Sequence, residues 1–179
     1  MLNIVDQIIF NFSNNKSLYI GENLTISEHM IQAAMLAEKN KSSDDLICSS
    51  LLHDYGHFVI KDPNQLVGDK IDGRHEIIGA NYLKKFFHYK IVEPILLHVD
   101  AKRYLARNKK YFKNLSEASK ISLELQGGTM NDLEAKKFEI NKYYESAIKL
   151  RKFDEGAKQK NIKLKKIEDY KKLLSSKIL

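Results

Sequence analysis

The sequence is poor in residues that break, bend or cross-link a chain. Its 179 residues include 2 prolines, 8 glycines, 1 cysteine and no tryptophan. A single cysteine, Cys48, excludes a disulfide framework and points to a reducing compartment. It follows Leu46-Ile47 and reads as a small core residue rather than a nucleophile. No apolar run approaches the roughly 20 residues that a bilayer span requires. The N-terminus, Met1-Leu2-Asn3-Ile4-Val5-Asp6, has no basic region before its apolar residues and no small-residue cleavage site after them. No secretory signal is therefore expected, and a cytoplasmic protein that does not engage a membrane follows.

Hydrophobic residues supply 43% of the chain, too many for a disordered polymer. The length suits a single domain, residues 1–179, with a proper core. Apolar residues recur at spacings of three and four, and so few helix breakers interrupt them that the expectation is all-α. Ile4, Ile8 and Phe12 mark a first helix, and Ser27–Lys39 a second. Ser42-Ser43-Asp44-Asp45 is an N-cap cluster opening a third through Leu52-His53-Asp54, with Gly56 ending or bending it. Residues 61–73, with Pro63, Gly68 and Gly73, read as a loop. A fourth helix is predicted from Arg74-His75 to about Phe87, and a fifth from Ile91 to Arg107 with Pro94 in its first turn. Further helices are predicted over Ser116–Leu125, Asp132–Ala157 and Ile167–Leu174.

The net charge of +7 is lopsided: residues 136–179 hold 14 Lys/Arg against 6 Asp/Glu, whereas residues 1–135 hold 16 against 17. Without interleaved aromatic platforms, this reads as a solvated lysine-rich surface and not as a nucleic-acid interface.

The chemistry lies in the six histidines His29, His53, His57, His75, His88 and His98. The segment Leu51-Leu52-His53-Asp54-Tyr55-Gly56-His57 sets an adjacent His-Asp pair in an apolar stretch, costly unless something neutralises the carboxylate. A metal ion does so, and one carboxylate can bridge two. A mixed His/carboxylate set without thiolate suits iron, manganese or zinc. His88, just after Phe86-Phe87, reads as a surface or helix-end residue.

The pattern His29…His53-Asp54…Asp154 resembles the signature of the HD superfamily. His75 and His98 stand where the HD-domain mixed-valent di-iron oxygenases carry two further ligands. The resemblance is closest to the PhnZ-type 1-hydroxyphosphonate oxygenases. It runs through Tyr19-Ile20-Gly21-Glu22, the His53-Asp54 segment, His98-Val99-Asp100-Ala101-Lys102, Asn114-Leu115-Ser116-Glu117-Ala118-Ser119 and Gln126-Gly127-Gly128. It implies an HD-domain helical bundle around two iron ions, Fe(II)/Fe(III), with O2 as co-substrate. One iron would bind His29, His53, Asp54 and Asp154; the other Asp54, His75 and His98. Lys102 would neutralise the phosphonate, and Ser119, Ser122 and Gln126 would hydrogen-bond it. His57 would contact substrate or ligands, and Tyr19 and Glu22 would form a loop in which Glu22 receives a substrate amino group. Lys102 falls four residues after His98, so the two share a helical face.

The implied activity is O2-dependent cleavage of a carbon–phosphorus bond in a small organophosphonate, first 2-amino-1-hydroxyethylphosphonate, giving glycine and phosphate. Hydroxymethylphosphonate or a trimethylammonio analogue are alternatives; the latter would want an aromatic cage, for which Tyr19, Tyr55 and Tyr104 are candidates. Two other classes compete. An HD phosphohydrolase acting on a nucleotide or phosphate ester would leave His75 and His98 without a purpose. A basic nucleic-acid-binding module would leave the whole His/Asp set unexplained.

Overall fold

The computed structural model describes residues 3–19, 23–59 and 74–179. The loop expected over 61–73, and Ile20, Gly21 and Glu22 of the expected Tyr19–Glu22 loop, lie outside the described residues. Within them the chain is all-α: helices α1 (Ile4–Asn14), α2 (Ile26–Lys39), α3 (Asp44–Leu52), α4 (Gly56–Val59), α5 (His75–Leu83), α6 (Tyr89–Leu105), α7 (Lys109–Asn114), α8 (Glu117–Leu125), α9 (Asp132–Ile140) and α10 (Tyr144–Gly156) are followed by a 3-10 turn, Ile167–Tyr170, and α11 (Lys171–Ser175). Extended pairing among the described residues is confined to two isolated bridges, Leu18 with Thr25 and Phe87 with Ile178.

The starts of these helices are set by local chemistry. Thr25 caps α2 reciprocally with Glu28, and Asn131 caps α9 with Glu134, each pairing donors that a helix start leaves open. Ser43 caps α3 and Ser116 caps α8, both through the side-chain oxygen. Removing such a cap costs about 1 kcal/mol.

Helix α10 packs on α2, α3 and α6, α3 also packs on α2 and α6, and α5 seals α4 and α6. Ile8, Met30, Leu51, Leu83, Ile95 and Leu150 are wholly buried in the main apolar cluster. Each such aliphatic chain contributes roughly 1.5–3 kcal/mol relative to an exposed position. Tyr55 joins them, its hydroxyl accepting from Asn11 Nδ2 at 2.8 Å. Ser49 Oγ donates to the Ile91 carbonyl at 2.8 Å, pinning α3 to α6.

Several expected boundaries are corrected. The third helix stops at Leu52, and Gly56 opens α4 instead of ending it. A Cβ on Gly56 would lie 1.9 Å from the His75 carbonyl oxygen and one on Gly79 would lie 2.9 Å from the Gly56 nitrogen. Both glycines are required by the close approach of α4 and α5. The fourth helix is shorter than expected, ending at Leu83. The fifth begins at Tyr89, which moves Pro94 into its second turn. The helix expected over 132–157 is two, broken where the Asn141 side chain accepts from the Tyr143 amide at 2.8 Å. The last predicted helix starts as a 3-10 turn.

Candidate metal centre

The six predicted ligands come from five places in the bundle. His29 projects from α2, His98 from α6 and Asp154 from α10; His53 and Asp54 fill the bend after α3; His75 is the first residue of α5. They meet as two donor groups. In each of His29–His53–Asp154 and Asp54–His75–His98, one ligand atom per residue lies within 4.8 Å of the others. Asp54 faces both. Its Oδ2 is 3.4 Å from His53 Nε2 and 3.7 Å from His29 Nε2; its Oδ1 is 3.2 Å from His75 Nε2 and 3.6 Å from His98 Nε2. Asp154 Oδ1 is 3.1 Å from His29 Nε2. All are buried except His75, which is half-buried.

The orientation of the rings tests whether metal ions fit. His29 Nδ1 lies 2.8 Å from the Ala157 carbonyl, His53 Nδ1 2.8 Å from that of Ser50 and His98 Nδ1 2.7 Å from that of Ile95. A carbonyl only accepts, so each Nδ1 carries the proton and each Nε2 of a neutral ring presents a lone pair. Glu76 Oε2 stands 3.7 Å from His75 Nδ1 and favours the same tautomer. The lone pairs then face one another across 3.1 Å, His29 to His53 and His75 to His98. Acceptors converging with carboxylate oxygens call for cations. Two nitrogens bound at right angles about 2.1 Å from one ion would stand about 3 Å apart. The residues fit two metal ions.

Electrostatics agree. Burial alone would raise the Asp54 carboxyl, but the imidazoles of His53 and His75 hold it well below the usual carboxylate range. Asp154 is likewise held down against its burial, mainly by the Arg151 guanidinium. Burial and then His75 depress His98 to about 3 and His57 to about 4, so both are neutral imidazoles at ordinary pH.

A cavity of about 170 Å³ opens beside the donors. Of the predicted substrate-contacting residues, Tyr19, His57, Lys102, Ser119, Ser122 and Gln126 all line it, together with Asp54, His75, His98 and Asp154. Glu22 lies outside the described residues. Lys102 is buried and donates to Ser122 Oγ at 2.8 Å. The Tyr19 ring stacks on His29, with centroids 4.0 Å apart, and His57 stacks on His75 at 4.5 Å. Gln126 Oε1 is buried without a hydrogen-bond partner among the described residues. Tyr55 and Tyr104 do not converge on the cavity. Tyr55 is sealed in the core and bonded to Asn11, and Tyr104 donates to Glu139 at 2.6 Å.

Two cations in the wall escape sequence reasoning. Arg151 is buried, pairs through Nη1 with Asp154 Oδ2 and donates through Nε to the Tyr111 hydroxyl at 3.3 Å, while its Nη2 has no hydrogen-bond partner among the described residues. Lys158 reaches the cavity from just beyond α10. For Arg151 a signal existed: it precedes Asp154 by three residues, the spacing at which helix neighbours pair.

Fold and donors together define an all-α protein with two adjacent candidate metal-binding groups, both faced by the Asp54 carboxylate. Residues 26–150 match the family model described as HD domain. The chain is 42% identical over 156 residues to a hydroxymethylphosphonate dioxygenase of Gimesia maris, covering 85% of this chain and 77% of that protein. It is 43% identical over 142 residues to a glycine-betaine-forming [1-hydroxy-2-(trimethylamino)ethyl]phosphonate dioxygenase of Leisingera caerulea, covering 79% and 72%. An uncharacterised protein of Acanthamoeba polyphaga mimivirus is 37% identical over 183 residues, covering 96% and 84%. The chain belongs to the HD-domain family and, within it, to the phosphonate oxygenases. It is accordingly an oxygenase, using a metal and O2. No helix among the described residues is long and apolar enough to cross a membrane.

Proposed function

We propose that this chain uses two iron ions and O2 to cleave the carbon–phosphorus bond of a 1-hydroxyphosphonate, with 2-amino-1-hydroxyethylphosphonate yielding glycine and phosphate. The observation that carries the reading is the cavity wall: Lys102 and Arg151 line the same cavity as the donors Asp54, His75, His98 and Asp154. Neutral substrates would gain nothing from two buried cations, whereas a phosphonate dianion pairs with both.

His29, His53 and Asp154 would hold one iron, His75 and His98 the other, with Asp54 between them. Bound there, the pair supplies the redox chemistry by which O2 attacks a carbon–hydrogen bond. The protein's own work is binding and orientation. Lys102 and Arg151 fix the phosphonate while Ser119, Ser122 and Gln126 complete its hydrogen bonds, which points the substrate's C1 toward the donors. His57, neutral and stacked on His75, can accept a hydrogen bond from the 1-hydroxyl. Tyr19 covers His29 and excludes water. Glu22 receives the amino group. One O2 balances the overall reaction, with one oxygen atom ending in the carboxylate and one in phosphate.

Hydroxymethylphosphonate is the second reading, supported by the Gimesia maris relative, whose name carries that substrate. The trimethylammonio compound is supported in the same way by the Leisingera caerulea relative; of its three candidate cage tyrosines, Tyr19 lines the cavity and Tyr55 and Tyr104 stand away from it. In this reading the chain is a single cytoplasmic domain whose partner is the small substrate and not nucleic acid or membrane.

The test is phosphate release from a panel of 1-hydroxyphosphonates in air and under argon. Release that requires O2 is expected, fastest with the amino compound. Equal release under argon would sink the oxygenase reading, and faster turnover of hydroxymethylphosphonate would favour the second substrate.

A further inference from the structure

Lys158 lies where three parts of the cavity wall meet. Its Nζ donates to Ser116 Oγ at 2.9 Å and to Ser119 Oγ at 3.2 Å, and stands 5.4 Å from the centroid of the Tyr19 ring. Ser119 and Tyr19 line the cavity, and Ser116 is the N-cap of α8. One ammonium therefore touches the start of the serine-bearing helix and the aromatic ring that covers His29.

Its backbone is fixed on both sides. The preceding carbonyl, of Ala157, accepts from His29 Nδ1 at 2.8 Å. The following residue, Gln159, is clamped by the buried Gln32: its amide donates to Gln32 Oε1 at 2.9 Å and its carbonyl accepts from Gln32 Nε2 at 2.9 Å. Both His29 and Gln32 belong to α2. Lys158 thus springs from a segment rigidly joined to the helix that carries a metal donor. A lysine offers three donor hydrogens, and a hydroxyl that accepts from an ammonium turns its own hydrogen elsewhere. A cation over an aromatic face adds about 0.5–1 kcal/mol of attraction at a wet site.

We propose that Lys158 is a positioning residue for the substrate cavity. It holds the Ser119 hydroxyl and the Tyr19 ring in register with the His29 side of the metal centre, acting on substrate through those two groups. The inference rests on the phosphonate reading for its ligand, though not for the contacts themselves.

The test uses the full chain, iron-loaded under argon, and methylphosphonate, which lacks the 1-hydroxyl. Calorimetry gives the Kd for wild type, Lys158→Met, Ser119→Ala and the double variant, with Lys158→Arg as rescue. Hydrogen exchange is followed over residues 17–19 and 116–119. Lys158→Met should weaken binding by about tenfold while iron content stays at that of wild type. The double variant should be no weaker than the weaker single, because both remove the same arrangement. Exchange in both segments should quicken about fivefold or more with α3 unchanged, and Lys158→Arg should restore affinity and protection. An unchanged Kd in Lys158→Met, multiplicative losses in the double variant, or unchanged exchange would each overturn the inference. If wild type does not bind methylphosphonate, the phosphonate reading falls and the exchange result alone decides the role of Lys158.

Discussion

His29 Nε2 and His53 Nε2 face each other at 3.1 Å while both Nδ1 atoms are committed to backbone carbonyls. Without a cation the two lone pairs repel, or one ring must protonate between buried carboxylates; the carboxylates pull His53 up to about 10 against the effect of its burial. A metal ion removes both problems by taking the proton's place. Metal loading should therefore stabilise the fold. At a hundred times its Kd the ion contributes about 2.7 kcal/mol, a Tm rise of roughly 5–10 °C for a chain of this size. Thermal unfolding before and after chelation checks it, and a Tm indifferent to chelator would refute the fit.

The two donor groups can be emptied separately. His75→Ala or His98→Ala should lower metal content from two ions to one while the chain remains folded. Activity should drop by at least about a thousandfold, the equivalent of some 4 kcal/mol in the transition state. Asp54→Ala should lose both ions, because its oxygens face both groups. Metal analysis together with phosphate release distinguishes these outcomes. Full activity in His98→Ala would mean that the second group is misassigned.

The helical class and the His53-Asp54 pair were legible from local marks, whereas His29, His75, His98 and Asp154 were picked out by the family resemblance; the fold brings all six together. Periodicity of three and four reports a buried helix face, and His53-Asp54 in an apolar stretch is costly unless compensated. The ends of helices were less legible, because tertiary contact decides them. Nothing in the sequence around Gly56 says that the His75 carbonyl will press against it, so the glycine reads as a helix stop when it is a point of contact. The break at Asn141 hides in a lysine-rich run of good helix formers. Arg151 and Lys158 looked like part of a solvated basic surface; only the fold reveals that Asp154 pulls one inward and that Ser116, Ser119 and Tyr19 gather the other.

Lys102 and Arg151 line the same cavity and should nevertheless fail differently. Lys102 donates to Ser122 Oγ, so Lys102→Met loses a hydrogen bond worth about 1 kcal/mol and an anion partner. Its KM for the phosphonate should rise about tenfold or more with both metals and near-normal Tm retained. Arg151 forms a buried ion pair with Asp154. Arg151→Met strands that carboxylate, should cost about 3–5 kcal/mol, and should also weaken the metal that Asp154 faces. Paired measurements of Tm, metal content and KM on the two variants separate the roles; identical profiles would contradict them.

Cys48 offers a pH test away from the centre. Burial pushes its thiol from 9.0 up to about 12. The group is neutral in both states below pH 9, so it does not affect stability there. Between pH 9 and 12 the unfolded chain ionises and the native one does not, so stability declines with rising pH across that window. Cys48→Ala should remove this share of the decline. In the native protein at pH 8 the thiol should react with a disulfide reagent only through unfolding, at a rate that denaturant accelerates. Prompt labelling in buffer would show that the thiol is accessible.

Gly56 carries the last prediction because it joins packing to chemistry. A Cβ there would sit 1.9 Å from the His75 carbonyl oxygen and 2.7 Å from its carbon. Both atoms are backbone, so no rotamer change relieves the clash and α5 must move as a unit. Gly56→Ala should cost about 3 kcal/mol or more. Because His75 is the first residue of α5, the same displacement should carry its Nε2 away from Asp54 and His98 and selectively empty the second metal position. Gly156→Ala is the control: among the described residues its new Cβ meets only the Leu36 Cδ1, at 3.1 Å, and helix propensity favours alanine by about 1 kcal/mol, so stability should change little. Thermal unfolding and metal analysis of the two variants decide the matter. A Gly56→Ala protein as stable as wild type and holding two ions would show that α4 and α5 do not touch as described.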